Sequence, residues 1–279
     1  MNYPDIDGTI FSLGPLALRW YGLAYLAGFF MVWWLGKRRT ESPALSGRTP
    51  TVAQLSDLVF YGAFGAILGG RIGYALFYGT EQLLADPLWL LRIWEGGMSF
   101  HGGLLGVCVA LWLWNKKTGF SFFETADFVA PLVPIGLGFG RLGNFANTEL
   151  PGRVSESGFG FHYPCRAVWE INPSCTGAFE TVARHPSSLY QSFAEGLLLF
   201  AVLWWYSSSP RKTGQVSAVF LMAYGISRVV TEVFREPDPW IGFLLGVSLT
   251  MGQCLSIAMM LAGALIYWHA LKDTNASLS

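Results

Sequence analysis

Seven apolar runs divide the chain, at 17–36, 57–78, 99–115, 124–141, 188–206, 215–233 and 249–269. Each approaches or exceeds the length needed to cross a hydrocarbon core ~30 Å thick, the third and fourth being the shortest. Residues 142–187 interrupt the pattern with a polar, Gly/Pro-rich stretch, too long for a turn and too short for an independent domain. It predicts a small head seated on the bundle. A second interruption, "TEQLLADPLWLLRIWEGG" (80–97), mixes Leu83, Leu84, Leu88, Trp89, Leu91 and Trp94 with Glu81, Asp86, Arg92 and Glu95. Pro87 argues against a spanning helix there, and the mixture predicts an amphipathic arm lying in the membrane interface, able to flank a lateral opening for lipid. The expectation is an all-α polytopic membrane protein, seven transmembrane helices with a small external (periplasmic) head, forming one integral membrane domain over 1–279. Neither broken helices nor two related halves, the marks of a repeat-built transporter, are evident in the pattern.

Composition agrees with the pattern. Of 279 residues 52% are hydrophobic and 13% charged, about half the charged share of a soluble domain, and the mean hydropathy is +0.40. A net charge of zero and the lack of any long basic cluster set nucleic-acid binding aside. All five lysines (Lys37, Lys116, Lys117, Lys212, Lys272) fall in loops of one parity, with Arg38, Arg39, Arg48 and Arg211. The positive-inside rule makes those loops cytoplasmic, so the N-terminus is expected in the periplasm and the C-terminus in the cytoplasm. Trp33, Trp34, Trp112, Trp114, Trp204, Trp205 and Trp268 gather at the same ends, as an interfacial belt does. Arg19 is the first positive residue and Asp5 and Asp7 precede it, unlike the basic start of a cleaved signal peptide, so the first span is expected to be retained.

An arginine near mid-membrane costs ~2.5–3.5 kcal/mol on insertion scales and needs a partner or a purpose. Arg19, Arg71, Arg141 and Arg228 are such residues. Tyr224, Arg228 and Glu232 follow at i, i+4 and i+8 and share one helical face, with Arg235 a turn further on. A structural ion pair between Arg228 and Glu232 is one reading. The other is that Arg141 and Arg228 approach the same external end and flank one phosphate bidentately, since a single carboxylate does not neutralise two cations. His101 lies among glycines, Gly102 included, that permit close backbone approach and offer amides to an anion; a structural role for this histidine is the alternative. Arg71 reads either as the partner of Asp127 or Glu124 or as a substrate contact. Tyr74 and Tyr78 read as core or belt, and Arg19 as a residue that snorkels to the outer surface.

Cys165 and Cys175, ten positions apart in an oxidising compartment, suit a disulfide; a metal site with His162 is the weaker rival for want of a clear fourth ligand. Cys108 and Cys254 lie in apolar runs and read as small buried hydrophobes. The spacings Gly62/Gly65/Gly69/Gly73, Gly102/Gly106 and Gly136/Gly140 predict close helix contact.

Six stretches carry a resemblance: "LRWYGLAYL" (18–26), "GGRIGY" (69–74), "GGMSFHGG" (96–103), "GRLGNFANTELPG" (140–152), "RHPSSLYQ" (184–191) and "YGISRVVTEVFREPD" (224–238). Together, in this order, the chain resembles the bacterial prolipoprotein diacylglyceryl transferases. Small departures are Ala146, where a larger aliphatic is usual, and Thr148, where glycine is common. The resemblance implies an enzyme of the bacterial cell inner membrane that moves the diacylglyceryl group of phosphatidylglycerol to the lipobox cysteine thiol of a preprolipoprotein, leaving a thioether and glycerol phosphate. It implies roles for His101, Arg141, Asn144, Glu149, Tyr21, Tyr224, Arg228 and Glu232. Arg141 and Arg228 are expected on the phosphate, Asn144 and Glu149 on the headgroup, and Glu232 behind Arg228. His101 and Tyr224 compete for thiol activation, and the imidazole's ordinary pKa of ~6.5 suits a base for a thiol near ~8.5. The partners are then phosphatidylglycerol, the signal-peptide-bearing lipoprotein precursor and membrane lipids. The chemistry needs no metal or cofactor, and none of the four cysteines reads as nucleophile. The rival is an anionic-lipid transporter or flippase.

Overall fold

The computed structural model describes residues 1–4, 6, 8–13, 16–42, 49–237, 243–244 and 249–272. Asp5, Asp7, Arg48 and Asp238, which entered the charge pattern or the motifs, lie outside them. Every apolar run is helical over most of its length. The chain opens with an antiparallel hairpin, β1 (Thr9–Leu13) and β2 (Leu16–Arg19), and continues into α1 (Trp20–Thr40) and α2 (Val52–Phe77). The third run is α4 (Phe100–Thr118), preceded by the short α3 (Thr80–Ala85). The sixth and seventh are α10 (Gln215–Glu232) and α11 (Met251–Lys272). A second small pair, β3 (Phe243–Leu244) and β4 (Leu249–Thr250), precedes α11. By length and composition α2 and α11 can each cross a membrane.

The fourth run is not one straight rod. It divides into α5 (Phe122–Val129) and α6 (Val133–Ala146), which meet at 52°. Pro131 and Pro134 cause the break, because neither supplies an amide to the helical ladder and each crowds the preceding turn. The expectation of unbroken helices is corrected here; taken together the bent pair makes a third candidate span. The fifth run is continuous but uneven: α8 (Ser187–Gln191) passes through a π-helical turn (Ser192–Leu198) into α9 (Leu199–Tyr206). Between α6 and α8 lies the head, with the short α7 (Cys165–Val168).

Glycines set how closely α2 and α4 approach. A Cβ on Gly65 would come 2.5 Å from the Gly106 carbonyl oxygen, one on Gly69 2.8 Å from the Gly106 Cα, and one on Gly73 2.7 Å from the Gly102 Cα. Backbone therefore touches backbone along three turns. Gly62, Gly136 and Gly140 are different, since a Cβ on any of them meets nothing within 4 Å. On α6 the π turn is met at Gly138, whose Cβ would sit 3.2 Å from the Gly196 Cα, while the Gly136 Cα lies 3.6 Å from where a Cβ on Gly28 of α1 would be.

At the lysine-bearing end Leu35, Leu55, Leu58, Trp114, Phe120, Phe128 and Leu132 form the main apolar core, and the Trp114 indole donates to the Gln54 carbonyl at 3.1 Å. At the other end Tyr3, Tyr163 and Val168 form a second cluster inside the head, with Phe145, Phe161 and Phe179 packed on it. Cys165 and Cys175 are bonded to each other. His162 sits with Nδ1 3.0 Å from the Glu180 carbonyl oxygen. With both thiols in the disulfide the metal reading has no ligand set; among the described residues no group of three acids, histidines or cysteines is arranged to hold a metal. Arg184, 5% exposed, binds Glu180 at 2.7 Å and Glu236 at 3.1 Å and ties the head to the segment after α10. Cys108 is exposed on the flank of α4 and Cys254 is half-buried, so neither is the fully buried hydrophobe expected.

Residues 80–97 form α3 and two 3₁₀ turns, Pro87–Leu91 and Ile93–Glu95. Arg71, 2% exposed, holds this arm against α2. Its guanidinium donates to the carbonyls of Leu90 (3.1 Å), Trp89 (2.7 Å), Gly97 (3.3 Å) and Gly96, and it stacks on the Trp89 ring at 4.3 Å. The partners foreseen for Arg71 are engaged elsewhere. Asp127 accepts from the Gly214 amide (2.5 Å) and the Ser217 amide (2.7 Å), while Glu124 closes a capping box with Ser121.

Candidate active site

The polar cluster forms where three helices end together. α6 brings Arg141, α10 brings Tyr224, Arg228 and Glu232, and the π turn brings a residue that periodicity does not single out, Glu195. A π turn inserts one extra residue per turn and so re-aims the side chains on it. Here it points Glu195, fully buried, between the two arginines. Arg141 Nη2 lies 3.3 Å from Glu195 Oε2 and Arg228 Nη1 lies 3.5 Å from Glu195 Oε1. The Thr231 hydroxyl donates to the same carboxylate at 3.0 Å.

On its other side Arg228 Nη2 meets Glu232 Oε2 at 2.8 Å, Arg235 approaches that oxygen at 4.0 Å, and the Thr250 hydroxyl donates to Glu232 at 3.1 Å. Tyr224 lies within hydrogen-bonding reach of Arg141 and feels Arg228 and Glu195 as well. The Arg228–Glu232 pair exists, but the claim of one carboxylate against two cations does not hold, because Glu195 supplies a second. Counting Arg235, three guanidiniums face two carboxylates, and this group of five keeps one positive charge. Only Arg141 is appreciably open, with 20% of its side chain exposed. Charges this far from water interact more strongly than at a surface, and an anion entering at Arg141 meets two guanidiniums joined through the Glu195 carboxylate.

The loop after α6 is built around Glu149. Asn144 Nδ2 donates to it at 2.6 Å and Asn147 Nδ2 at 3.1 Å, while the Glu149 amide returns to the Asn144 carbonyl at 2.9 Å. Thr148 (φ 60°) and Leu150 (φ 56°) on either side adopt left-handed backbone, which explains why glycine would suit position 148; each such residue costs ~1–3 kcal/mol unless its surroundings enforce it. The enforcement comes from the 184–191 stretch. Ser187 Oγ donates to the Leu150 carbonyl at 2.7 Å and the Gly152 amide to the His185 carbonyl at 3.1 Å. Tyr21 on α1 lies against Gly143, its hydroxyl 2.9 Å from that of Tyr25.

Three residues foreseen at the site, His101, Gly102 and Arg71, stand apart from this cluster. His101 and Gly102 open α4, which packs on α2 rather than on α6 or α10. His101 is exposed, its ring edge-on to Phe100 at 5.7 Å. The amides expected to be available for an anion are not: Gly102 N–H caps on Ser99 Oγ at 3.2 Å and Gly103 N–H bonds the Ser99 carbonyl at 2.9 Å. Gly102 serves helix contact, as Gly73 does. Arg71 is occupied by the arm, and Arg19 is exposed at the start of α1. The missed residue, Glu195, had a legible signal: it is the lone acid in an otherwise apolar run, and an intramembrane carboxylate is by default a functional hypothesis.

A cavity of about 760 Å³ adjoins the cluster on the head side, with Asn147, Glu149 and Arg235 in its wall. The family model for prolipoprotein diacylglyceryl transferase matches residues 8–269. Among similar curated proteins, one from Chromohalobacter salexigens is 50% identical over 96% of this chain and 94% of its own length. One from Legionella pneumophila (strain Lens) is 50% identical over 96% and 98%, and one from Acinetobacter baylyi 49% over 97% and 94%. All three are named phosphatidylglycerol--prolipoprotein diacylglyceryl transferase. With the match running through both halves of the polar cluster and nearly the whole chain, this protein belongs to the prolipoprotein diacylglyceryl transferase family.

Proposed function

We propose that the chain is a transferase acting at the bacterial inner membrane, moving the diacylglyceryl group of phosphatidylglycerol to the lipobox cysteine of a prolipoprotein, the first step of lipoprotein maturation. The observation that carries this reading is the pair Arg141 and Arg228 bridged by one buried carboxylate. A phosphodiester reaching that point finds two planar donor sets and a surplus of positive charge. The thiolate sulfur attacks the glyceryl carbon and forms a C–S bond. The C–O bond to phosphate breaks, its electron pair stays on the phosphate oxygen, and the thiol proton passes to a base. The developing charge on glycerol phosphate is what the guanidiniums stabilise, and it matters more in a site poor in water.

Tyr224, beside Arg141, orients the phosphate ester. Asn144 and Glu149 orient the headgroup with Tyr21, and Glu232 holds Arg228. His101 opens α4 at the end of the bundle where α6 and α10 finish, and is the base in this reading. Gly102 and Arg71 keep α4 and the arm in position beside it.

The topology that fits is seven crossings, α5 with α6 and α8 with α9 each counted as one, with the head and N-terminus in the periplasm and the C-terminus in the cytoplasm. The decisive experiment incubates purified protein with phosphatidylglycerol and a lipobox peptide and weighs the peptide. A gain of one diacylglyceryl unit is expected. An unaltered peptide would leave the transporter reading, to which the bent α5–α6 pair gives its one structural support.

A further inference from the structure

The cavity beside the polar cluster is a second site with a different character. Its wall draws on four separate parts of the chain: the N-terminal hairpin with Arg19, the loop carrying Asn147 and Glu149, the disulfide-closed α7 region with Arg166 and Glu170, and Arg235 with Glu236 after α10. Arg235 already belongs to the neighbouring Arg141–Glu195–Arg228–Glu232–Arg235 group, and the other charges of the wall, Arg19 and Arg166 against Glu149, Glu170 and Glu236, leave no positive surplus. A phosphate-bearing headgroup prefers the arginine-rich group. A polypeptide, with neutral backbone donors and acceptors and side chains of both signs, suits this wall of mixed sign, which also offers apolar contacts at Leu150, Val168 and Ile171. The volume, about 760 Å³, falls among pockets of ~300–1,000 Å³ that enclose a ligand of a few residues. Arg235 belongs both to this wall and to the arginine–carboxylate group, so an occupant of the cavity ends beside the reacting centre.

Resting on the transferase reading, we propose that this cavity binds the acceptor chain, specifically the polar residues that follow the lipobox cysteine. The apolar signal segment before the cysteine stays in the bilayer, and the chain beyond it runs outward beneath the head. The hairpin and the α7 region then form the clamp that presents the thiol to the lipid.

The test uses the full chain in vesicles containing phosphatidylglycerol. A photo-crosslinking amino acid at Ala167, in the cavity wall, is expected to attach to peptide residues after the cysteine. Attachment only to lipid, only to the apolar segment before the cysteine, or to nothing while transfer proceeds normally would overturn the assignment. In steady-state kinetics Arg166→Glu is expected to raise KM for the peptide roughly tenfold, as loss of about 1.4 kcal/mol does, with KM for phosphatidylglycerol unchanged. A rise in the lipid KM alone, or no change in either, contradicts it. Absence of any transfer by the unsubstituted chain is a separate outcome, which removes the transferase reading itself.

Discussion

At the scale of single residues the site is a shared counter-ion problem. Arg141 and Arg228 share one buried carboxylate, Glu195, and Arg228 is held from its other side by Glu232. Substituting Arg141 or Arg228 by Gln should lower turnover by about 10²–10³-fold, the usual cost of losing one donor to a developing oxyanion, and the peptide mass assay measures it. Lysine should not restore Arg141, because an ammonium cannot reproduce the planar two-donor geometry. Glu195→Gln should destabilise the fold by ~3 kcal/mol or more, since removing one partner of a buried pair strands the other. A melting curve in detergent reports that loss, and kcat should fall with it because the guanidiniums lose their alignment. His101→Gln should depress transfer across the neutral pH range; turnover equal to the parent throughout that range would remove His101 as the base.

At the scale of elements, the bundle depends on where backbone meets backbone. Gly106→Val should destabilise α2 against α4 by ~3 kcal/mol or more, since the side chain has no space between Gly65 and Gly69. Gly62→Ala, on a face where a Cβ meets nothing, should instead stabilise by ~0.4–1 kcal/mol. The two melting temperatures should therefore move in opposite directions, although both glycines belong to small-residue repeats that predict close helix contact. Arg71→Ala should release the 87–97 arm, because four carbonyls lose a charged donor at once. Limited proteolysis of that segment reads it out. Repetition at four residues is visible in a sequence; the neighbour it faces is not. That is why Gly65, Gly69 and Gly73 pack as expected while Gly62 and Gly140 do not.

At the scale of the whole molecule the head is closed by its own small core and one internal disulfide, and tied to the segment after α10 by Arg184 and Glu236. Replacing Cys165 and Cys175 removes a constraint typically worth about 2–4 kcal/mol. Transfer should remain measurable with all four cysteines replaced, because the acceptor thiol belongs to the substrate; complete loss in a folded variant would contradict this. Burial pushes the Tyr3 and Tyr163 phenols above the ordinary tyrosine range. The folded head thus keeps two protons that the unfolded chain releases near pH ~10. Its stability should be full below that pH and fall as pH rises beyond it, which near-ultraviolet spectra of tyrosine packing can follow.

The seven helical runs, the polar head, the disulfide and the Tyr224–Arg228–Glu232 face are all determined by the sequence alone, because each depends on near neighbours: period, composition, or a spacing along one helix. Tertiary structure decided the rest. It brought Glu195 between two arginines 54 and 33 positions away, turned Arg71 towards the arm rather than towards Asp127 or Glu124, and set Gly102 to helix contact. The physical reason is that a buried charge takes its partner from whatever helix packs against it, and the π turn and the proline break that set this packing act through space rather than along the chain.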